Sequence, residues 1–232
     1  MIKHLFFDLD RTLWDFDKNS KQALVLLFSE SSLDKKDIFF SDFYNYYLQV
    51  NAKLWKAYGK KEITKEFLRI ERFRKTLEKW NVQDDSIVNH FSDGYVEISP
   101  KQICLFPNTI ETLRELKMSG YRMHIITNGF VEVQYTKLEN CLLRPYFDVI
   151  VCSEEIGINK PDPEIFNYSL KKANAVPENS VMIGDDYEVD VLGAERVGMR
   201  AYHFNPQIKE SNIKHVNQIT NLSQLPRKLV GL

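Results

Sequence analysis

Four short polar clusters in this chain hold residue types that can do chemistry together. They are Asp8 with Asp10, Thr127-Asn128-Gly129, Lys160 before Pro161, and Asp185-Asp186 followed by Asp190. Two carboxylates two residues apart are costly to hold together unless something neutralises them, and a divalent cation is the natural candidate. An aspartate can attack phosphorus and form an aspartyl-phosphate. A hard Mg²⁺ ion, held by one or two carboxylates with phosphate oxygen and water, neutralises the charge that develops. A lysine, a hydroxyl and glycine-freed backbone amides suit the remaining phosphoryl oxygens. Each cluster alone has an ordinary structural use. The Asp8/Asp10 pair could cap a turn, and Thr127-Asn128-Gly129 could be a plain turn. Lys160 could be a solvated loop lysine, and Asp185, Asp186 or Asp190 could cap a helix. Their joint occurrence points to phosphoryl transfer.

Such clusters must be brought together by the elements that carry them. Ile2 and the run Leu5-Phe6-Phe7 end abruptly at Asp8, as expected of a strand buried on both faces of a parallel sheet. From Phe106 onwards helix and strand alternate. A helix opened by Pro107 and Asn108 stops at Gly120, and Arg122 to Thr127 is a strand. A helix from Val131 to Cys141, a strand from Phe147 to Cys152 and a helix from Pro163 to Ala173 follow. Ser180 to Ile183 and Met199 to Phe204 are further strands, separated by a helix from Val189 to Val197. The polar tail from Gln207 is expected to hold one short helix near Leu222 to Leu229. This series predicts a parallel sheet covered on both sides, with all four clusters at the carboxyl ends of strands, where open α/β sheets bind ligands.

Residues 15–105 differ in character. Apolar residues recur at helical spacing through Ala23, Leu24, Leu27 and Phe28, and again from Phe43 to Tyr58, with Gly59 as a stop. Thr64 opens a helix expected to bury Phe67, Ile70, Phe73, Leu77 and Trp80, and Asp84-Asp85-Ser86 opens another that runs to Ile98. The aromatic stripes are read as the core of this module. The expected architecture is therefore α/β, with a Rossmann-like parallel sheet core from residues 1–14 and 106–232 and an inserted all-helical domain at 15–105.

Composition narrows the partners. The chain has 232 residues, 44% of them hydrophobic, and a formal net charge of −1, so no long-range pull towards nucleic acid polymers or anionic membrane is expected. No apolar run is long enough for a transmembrane helix, and the N-terminus reads as a strand, not a signal peptide. Cys104, Cys141 and Cys152 form no CxxC pair and read as free thiols. His4, His90, His124, His203 and His215 lack metal-ligand spacing. A cytoplasmic location is expected; oligomeric state is left open.

The four clusters, in this order, resemble the four motifs of the haloacid dehalogenase-like (HAD) hydrolases, and the helical block resembles that superfamily's C1-type cap. Ile126-Thr127-Asn128-Gly129-Phe130, Gln134, Lys137-Leu138-Glu139, Tyr146-Phe147-Asp148, Ser153 to Gly157 and Lys160 to Phe166 are similar to the bacterial pyrimidine 5′-nucleotidases of that superfamily. In the helical block, Val50 to Trp55 and Ile63-Thr64 are similar too. Those enzymes dephosphorylate nucleoside monophosphates, including non-standard ones.

The resemblance implies the following roles. Asp8 would be the nucleophile, and Asp10 the acid that protonates the leaving oxygen and then the base that activates water. Mg²⁺ would be held by the Asp8 carboxylate, the Asp10 carbonyl and the Asp185 carboxylate. Thr127 with the Asn128 and Gly129 amides would bind phosphoryl oxygens. Lys160 would balance charge at Asp8, while Asp186 and Asp190 would orient metal waters or Lys160. The cap would read the leaving group, with Trp14, Phe16, Asn51, Trp55 and Tyr58 as candidates. Arg11 departs from the family pattern and puts substrate preference in question.

The implied partner is a small-molecule phosphate ester, a nucleoside monophosphate in the first place. A sugar phosphate or phosphoglycolate is the alternative, and a phosphomutase has no feature in its favour. A carbon–halogen dehalogenase would need neither Asp10 as acid nor a metal carboxylate at Asp185. A response-regulator-like signalling module would share the aspartyl-phosphate, but its acidic pair precedes the phosphorylated aspartate, the reverse of the order here.

Overall fold

A computed structural model describes residues 1–208 and 217–230. His215 and part of the polar tail lie outside the described residues.

Leu5, Phe6 and Phe7 are all fully buried, as an unbroken apolar run requires of a central strand. They belong to β1 (His4–Phe7), which pairs in parallel with β2 (Arg122–Thr127) on one side and β4 (Ser180–Gly184) on the other. With β3 (Val149–Cys152), β5 (Arg200–Phe204) and β6 (Gln218–Ile219), these form a six-stranded sheet of order β3-β2-β1-β4-β5-β6. The register sets Phe7 beside Ile125 and Ile183, so Asp8, Thr127 and Asp185 leave the sheet at one edge.

The two faces of the sheet build different cores, by the alternation of side chains along a strand. Leu5, Phe7, Ile125, Ile150, Val181, Ile183 and Tyr202 belong to one cluster, together with Leu113 and Leu116 of α5 (Thr109–Met118), Leu138 of α6 (Val131–Asn140) and Leu225 of the tail. Phe6, Ile126, Val151, Met182 and Ala201 belong to the other, with Ile165, Phe166 and Leu170 of the helix Pro163–Ala173 and Ala194 of the helix Leu192–Glu195.

Contacts divide the chain into two compact units, Met1–Phe16 with Ile103–Leu232, and Asp17–Gln102. The second unit is helical. It comprises α1 (Phe16–Glu30, apart from its first residue), α2 (Phe40–Gly59), α3 (Lys65–Glu78) and α4 (Asp85–Ile98). Its core combines aliphatic residues such as Leu24, Leu27 and Leu77 with the aromatic Phe28, Phe43, Tyr47, Phe73, Phe91 and Tyr95. Thr64 caps α3, its hydroxyl accepting from Phe67 N at 3.2 Å, and Asp84 caps α4, accepting from Ser86 N at 2.8 Å.

One expectation is corrected. The buried face of α3 is Leu68, Arg72, Phe73, Thr76 and Leu77, while Phe67 and Ile70 are 43% and 37% exposed. The helix is rotated so that Leu68 and Thr76 flank Phe73, and the arginine turns inward with them. The tail holds one feature that periodicity does not reveal, the two-residue strand β6 ahead of the short helix α10 (Leu225–Leu229). In chain order, the remaining helices are α7 (Ser153–Ile156), α8 (Pro163–Ala173) and α9 (Leu192–Glu195). Among the described residues Cys104, Cys141 and Cys152 form no disulfide; Cys141 and Cys152 are buried and Cys104 is half-buried.

Candidate active site

The side chains that leave the carboxyl edge of the sheet converge. Asp8, one residue past β1, is buried with 7% of its surface exposed. Lys160 Nζ donates to Asp8 Oδ1 at 2.7 Å and to Asp190 Oδ1 at 2.7 Å, which joins the first and last clusters through one buried ammonium. Thr12, on the turn after β1, donates its hydroxyl to Asp8 Oδ2 at 3.2 Å. Lys160 is set in place by Asn128, whose side chain accepts from Lys160 N at 2.8 Å and donates to Lys160 O at 3.0 Å. Asn128 thus secures the loop that bears Lys160.

The last cluster follows β4. Asp186 caps the next turn, its Oδ1 accepting from Glu188 N and Val189 N at 3.0 Å each. The chain then forms one π-helical turn, Tyr187–Val191, before α9. Such turns widen a helix by one residue and are frequent at functional sites. Here the turn sets Asp190 inward, where Asp190 Oδ2 accepts from Asp186 N at 3.2 Å. Asp186 is therefore engaged as a cap, while Asp190 holds Lys160. Asp185 has His203 below it, the imidazole Nε2 lying 2.8 Å from the Asp185 carbonyl.

Asp8, Asp185 and Asp190 each offer an oxygen, all within 4.8 Å of one another. Burial pushes the Asp8 carboxyl up to about 7, against the pull of Lys160 and with Asp190 adding to the rise. Burial pushes Asp185 to about 8, with Asp8 and Asp190 adding to the rise. Burial alone would lower the Lys160 ammonium, but Asp190 and Asp8 more than offset it and hold its pKa above the ordinary lysine value. Three carboxylates around one lysine leave negative charge uncompensated, and a hard divalent cation on Asp8 and Asp185 fits that donor set. Asp190 is less suited, because its oxygens are already occupied by Lys160 and a backbone amide.

Asp10 has a separate environment. Lys137 Nζ donates to Asp10 Oδ1 at 2.6 Å, and Gln134 Nε2 donates to Asp10 Oδ2 at 3.0 Å and to Thr127 Oγ1 at 2.5 Å. Lys137 is 3% exposed and lies 4.2 Å from the Trp14 ring centroid, so an ion pair and an aromatic face hold it together. Gln134 and Lys137 stand three residues apart on α6. The i, i+3 spacing of two polar residues beside Leu138 is the signal that could have assigned them a role from the sequence. Thr127 Oγ1 also accepts from Gly129 N at 3.2 Å, and a side chain on Gly129 would run into Gln134. Arg11 has a φ of 63°, a left-handed conformation uncommon for a side-chain-bearing residue, and its guanidinium carbon lies 4.4 Å from the Phe16 ring centroid.

Parallel sheet, strand-end carboxylates and a bridging lysine define a hydrolase of the haloacid dehalogenase-like family, and the chain belongs to it. The family model for haloacid dehalogenase-like hydrolases matches residues 2–198. The chain is 34% identical over 207 residues to the pyrimidine 5′-nucleotidase YjjG of Escherichia coli, covering 89% of this chain and 87% of that one. It is 29% identical to the glyceraldehyde 3-phosphate phosphatase of Methanothermobacter thermautotrophicus, covering 97% and 98% of the two chains. Among solved structures, the HAD-hydrolase YfnB of Bacillus subtilis, bound to magnesium, superposes with a TM-score of 0.85 at 27% identity over 97% of each chain. Among the described residues, no helix is long and apolar enough to cross a membrane.

Proposed function

We propose that the chain is a Mg²⁺-dependent phosphomonoester hydrolase working through an aspartyl-phosphate on Asp8, with nucleoside 5′-monophosphates, pyrimidine ones foremost, as substrates. The observation that carries the reaction is the buried Lys160 ammonium, 2.7 Å from both Asp8 and Asp190, with Asp185 beside them. As a phosphatase, the chain divides the reaction into two displacements.

In the first, an Asp8 oxygen attacks phosphorus. The phosphorus–ester bond breaks with its electron pair on the leaving oxygen, and Asp10 as the acid gives that oxygen its proton. In the second, Asp10 as the carboxylate takes a proton from water while the water oxygen attacks phosphorus. The bond from phosphorus to Asp8 breaks, and inorganic phosphate leaves. Thr127 and the amides of Asn128 and Gly129 hold phosphoryl oxygens, and Lys160 favours the ionised form of Asp8. Asp8, Asp185 and the Asp10 carbonyl would hold Mg²⁺, which when bound supplies positive charge to the phosphoryl group. Asp190 keeps Lys160 aimed at Asp8, and Asp186 shapes the turn that places Asp190.

One contrast supports this division of labour. Asp8 is tied to a lysine and a threonine, whereas Asp10, two residues on, is held by Lys137 and Gln134, so the two carboxylates sit in different surroundings. The likeness to YjjG supports nucleotides as substrates. The likeness to a glyceraldehyde 3-phosphate phosphatase over nearly the whole chain favours a second reading, in which the same chemistry acts on a sugar or triose phosphate.

A phosphate-release screen over nucleoside monophosphates and sugar phosphates, with Mg²⁺ and with EDTA, tests both. Preference for UMP, dUMP or dTMP is expected, with loss in EDTA. Preference for a sugar phosphate keeps the mechanism and replaces the substrate. A folded Asp8→Asn protein is expected to be inactive, and turnover near wild type in it would refute the mechanism.

A further inference from the structure

Arg72 is costly where it stands. It lies on the inward face of α3 with 4% of its surface exposed. Three carboxylates on and near α3 are engaged with other cations, Glu71 and Asp85 with Arg74 at 3.0 and 2.6 Å and Asp93 with Arg69 at 3.7 Å, and among the described residues none pairs with Arg72. What Arg72 does have is aromatic. Its guanidinium carbon lies 4.6 Å from the Tyr95 ring centroid and 5.1 Å from that of Phe73. A cation over a ring is attracted only weakly compared with a paired ion. Burying a charge without a counter-charge costs more than that attraction returns. The rings do not close that gap.

The groups around it share the same deficit. Arg72 Nε, the Tyr47 hydroxyl and Asn51 Oδ1 are all buried and have no hydrogen-bond partner among the described residues. Tyr47 stacks on Phe73 at 5.3 Å and lies 6.1 Å from Tyr95, so it belongs to the same ring cluster as Arg72. Asn51 is one helical turn further along α2, on the same face as Tyr47. Tyr95 brings no charge to Arg72, and its hydroxyl proton goes to Ser20 Oγ at 2.8 Å. Burial holds the Tyr47 phenol well above its ordinary pKa, with Arg72 opposing, so it remains a donor at neutral pH.

Tyr47 and Arg72 bring donors and a charge to the same Phe73 ring, and the Asn51 amide, one turn along α2 from Tyr47, presents its NH₂ after a half-turn about its last bond. Asn51 and Arg72 keep 7% and 4% of their surface in solvent and Tyr47 none. Orphaned buried donors around an uncompensated guanidinium want an acceptor that bears negative charge.

We propose that Arg72, Tyr47 and Asn51 form an oxyanion-binding site within the helical unit, taking a carboxylate or phosphate group. Two sources carry that chemistry: a second anionic group on the substrate, or a free anion bound as a separate ligand.

The test compares the full-length wild type with Arg72→Met by thermal melting in EDTA, titrated with inorganic phosphate. Any phosphate response of the Lys160 cluster is common to both proteins. Arg72→Met is expected to melt at or above the wild-type temperature without phosphate, since it removes an uncompensated charge. It is also expected to lose most of the wild-type rise in melting temperature with phosphate, a fall of about tenfold or more in apparent affinity. A melting temperature well below wild type with an unchanged phosphate response would make Arg72 a structural group and overturn the proposal. Should Arg72→Met not fold, Tyr47→Phe removes a single oxygen. A weaker phosphate response in it supports the site, and an identical response overturns it.

Kinetics then separates the sources. A drop of about tenfold or more in kcat/KM for esters bearing a second anionic group, with p-nitrophenyl phosphate unaffected, assigns the site to the substrate. Unchanged kinetics with the phosphate response lost assigns it to a free anion. The melting readout needs no turnover, so it stands whether or not the proposed reaction does.

Discussion

Asp8 and Asp10 are the same residue type two positions apart, and the structure gives them different neighbours. Lys160 and Thr12 hold one, while Lys137 and Gln134 hold the other. Lys137→Met is therefore expected to lower kcat by about 10–100-fold with KM little changed, because Asp10 loses its orientation and not the substrate its phosphate contacts. Steady-state kinetics on one phosphate ester checks this. The carboxylates themselves were legible from the abrupt end of an apolar run. Lys137 and Gln134 were visible as residues but not as partners of Asp10, because that contact spans more than a hundred positions and depends on how α6 lies along the sheet.

A second residue-scale consequence concerns His4 and His124, buried side by side on adjacent strands with ring nitrogens 3.0 Å apart. Burial, with the neighbouring His4 acting in the same direction, lowers His124 to about 4, and burial also lowers His4. A histidine kept neutral in the fold but free to charge when unfolded stabilises fully above its ordinary value of 6.5. That stability is lost as pH falls from there towards about 4, by up to about 3 kcal/mol for His124. Asp8 and Asp185, raised to about 7 and 8, act in the opposite direction but are common to wild type and His124→Asn, so the difference in urea stability between these two proteins, measured at pH 7 and pH 5, should show the loss.

At the scale of elements, the decisive piece is the junction of β4 with the π-helical turn. A Cβ on Gly184 would run into the Asp190 side chain, so the strand end and the turn are fitted to each other. Gly184→Ala is expected to push Asp190 off Lys160. Activity should fall at least tenfold while stability falls by only about 1–3 kcal/mol. Paired measurements of kcat and unfolding midpoint distinguish this from general damage.

The elements also show where sequence reading runs out. The strands β1, β2 and β4 announce themselves by apolar runs buried on both faces. The π-helical turn does not, since one extra residue in a turn leaves no periodic trace. In β6 two residues are too few to carry a pattern, and pairing with β5 decides the matter. The face of α3 misled for a physical reason. Phe67 and Ile70 are the more hydrophobic residues, yet Arg72 and Thr76 are buried in their place, and hydrophobicity cannot anticipate a buried guanidinium.

At the scale of the molecule, two units each possess their own core, one around a sheet and one around stacked rings. Phe91 is fully buried in the helical core, 5.0 Å from Phe43 and 5.6 Å from Phe73 by ring centroids. Phe91→Ala is expected to destabilise the helical unit by about 3–5 kcal/mol. Trp55 and Trp80 belong to that unit and Trp14 to the other, so tryptophan fluorescence in single-tryptophan variants can follow each unfolding separately. The Trp80 transition should move to lower denaturant by more than the Trp14 transition.

The strand order places β1 at the heart of the sheet, yet a ribosome makes it first. His4 must wait for Arg122 on one side and Ser180 on the other. At about 5–20 residues per second, that first wait alone lasts roughly 6–24 s. During it the helical unit is complete in the nascent chain while Leu5, Phe6 and Phe7 have no partner strand. Nascent chains stalled before Ser180 therefore expose an apolar segment with an open hydrogen-bonding edge, and it is these unfinished chains that call for chaperone protection.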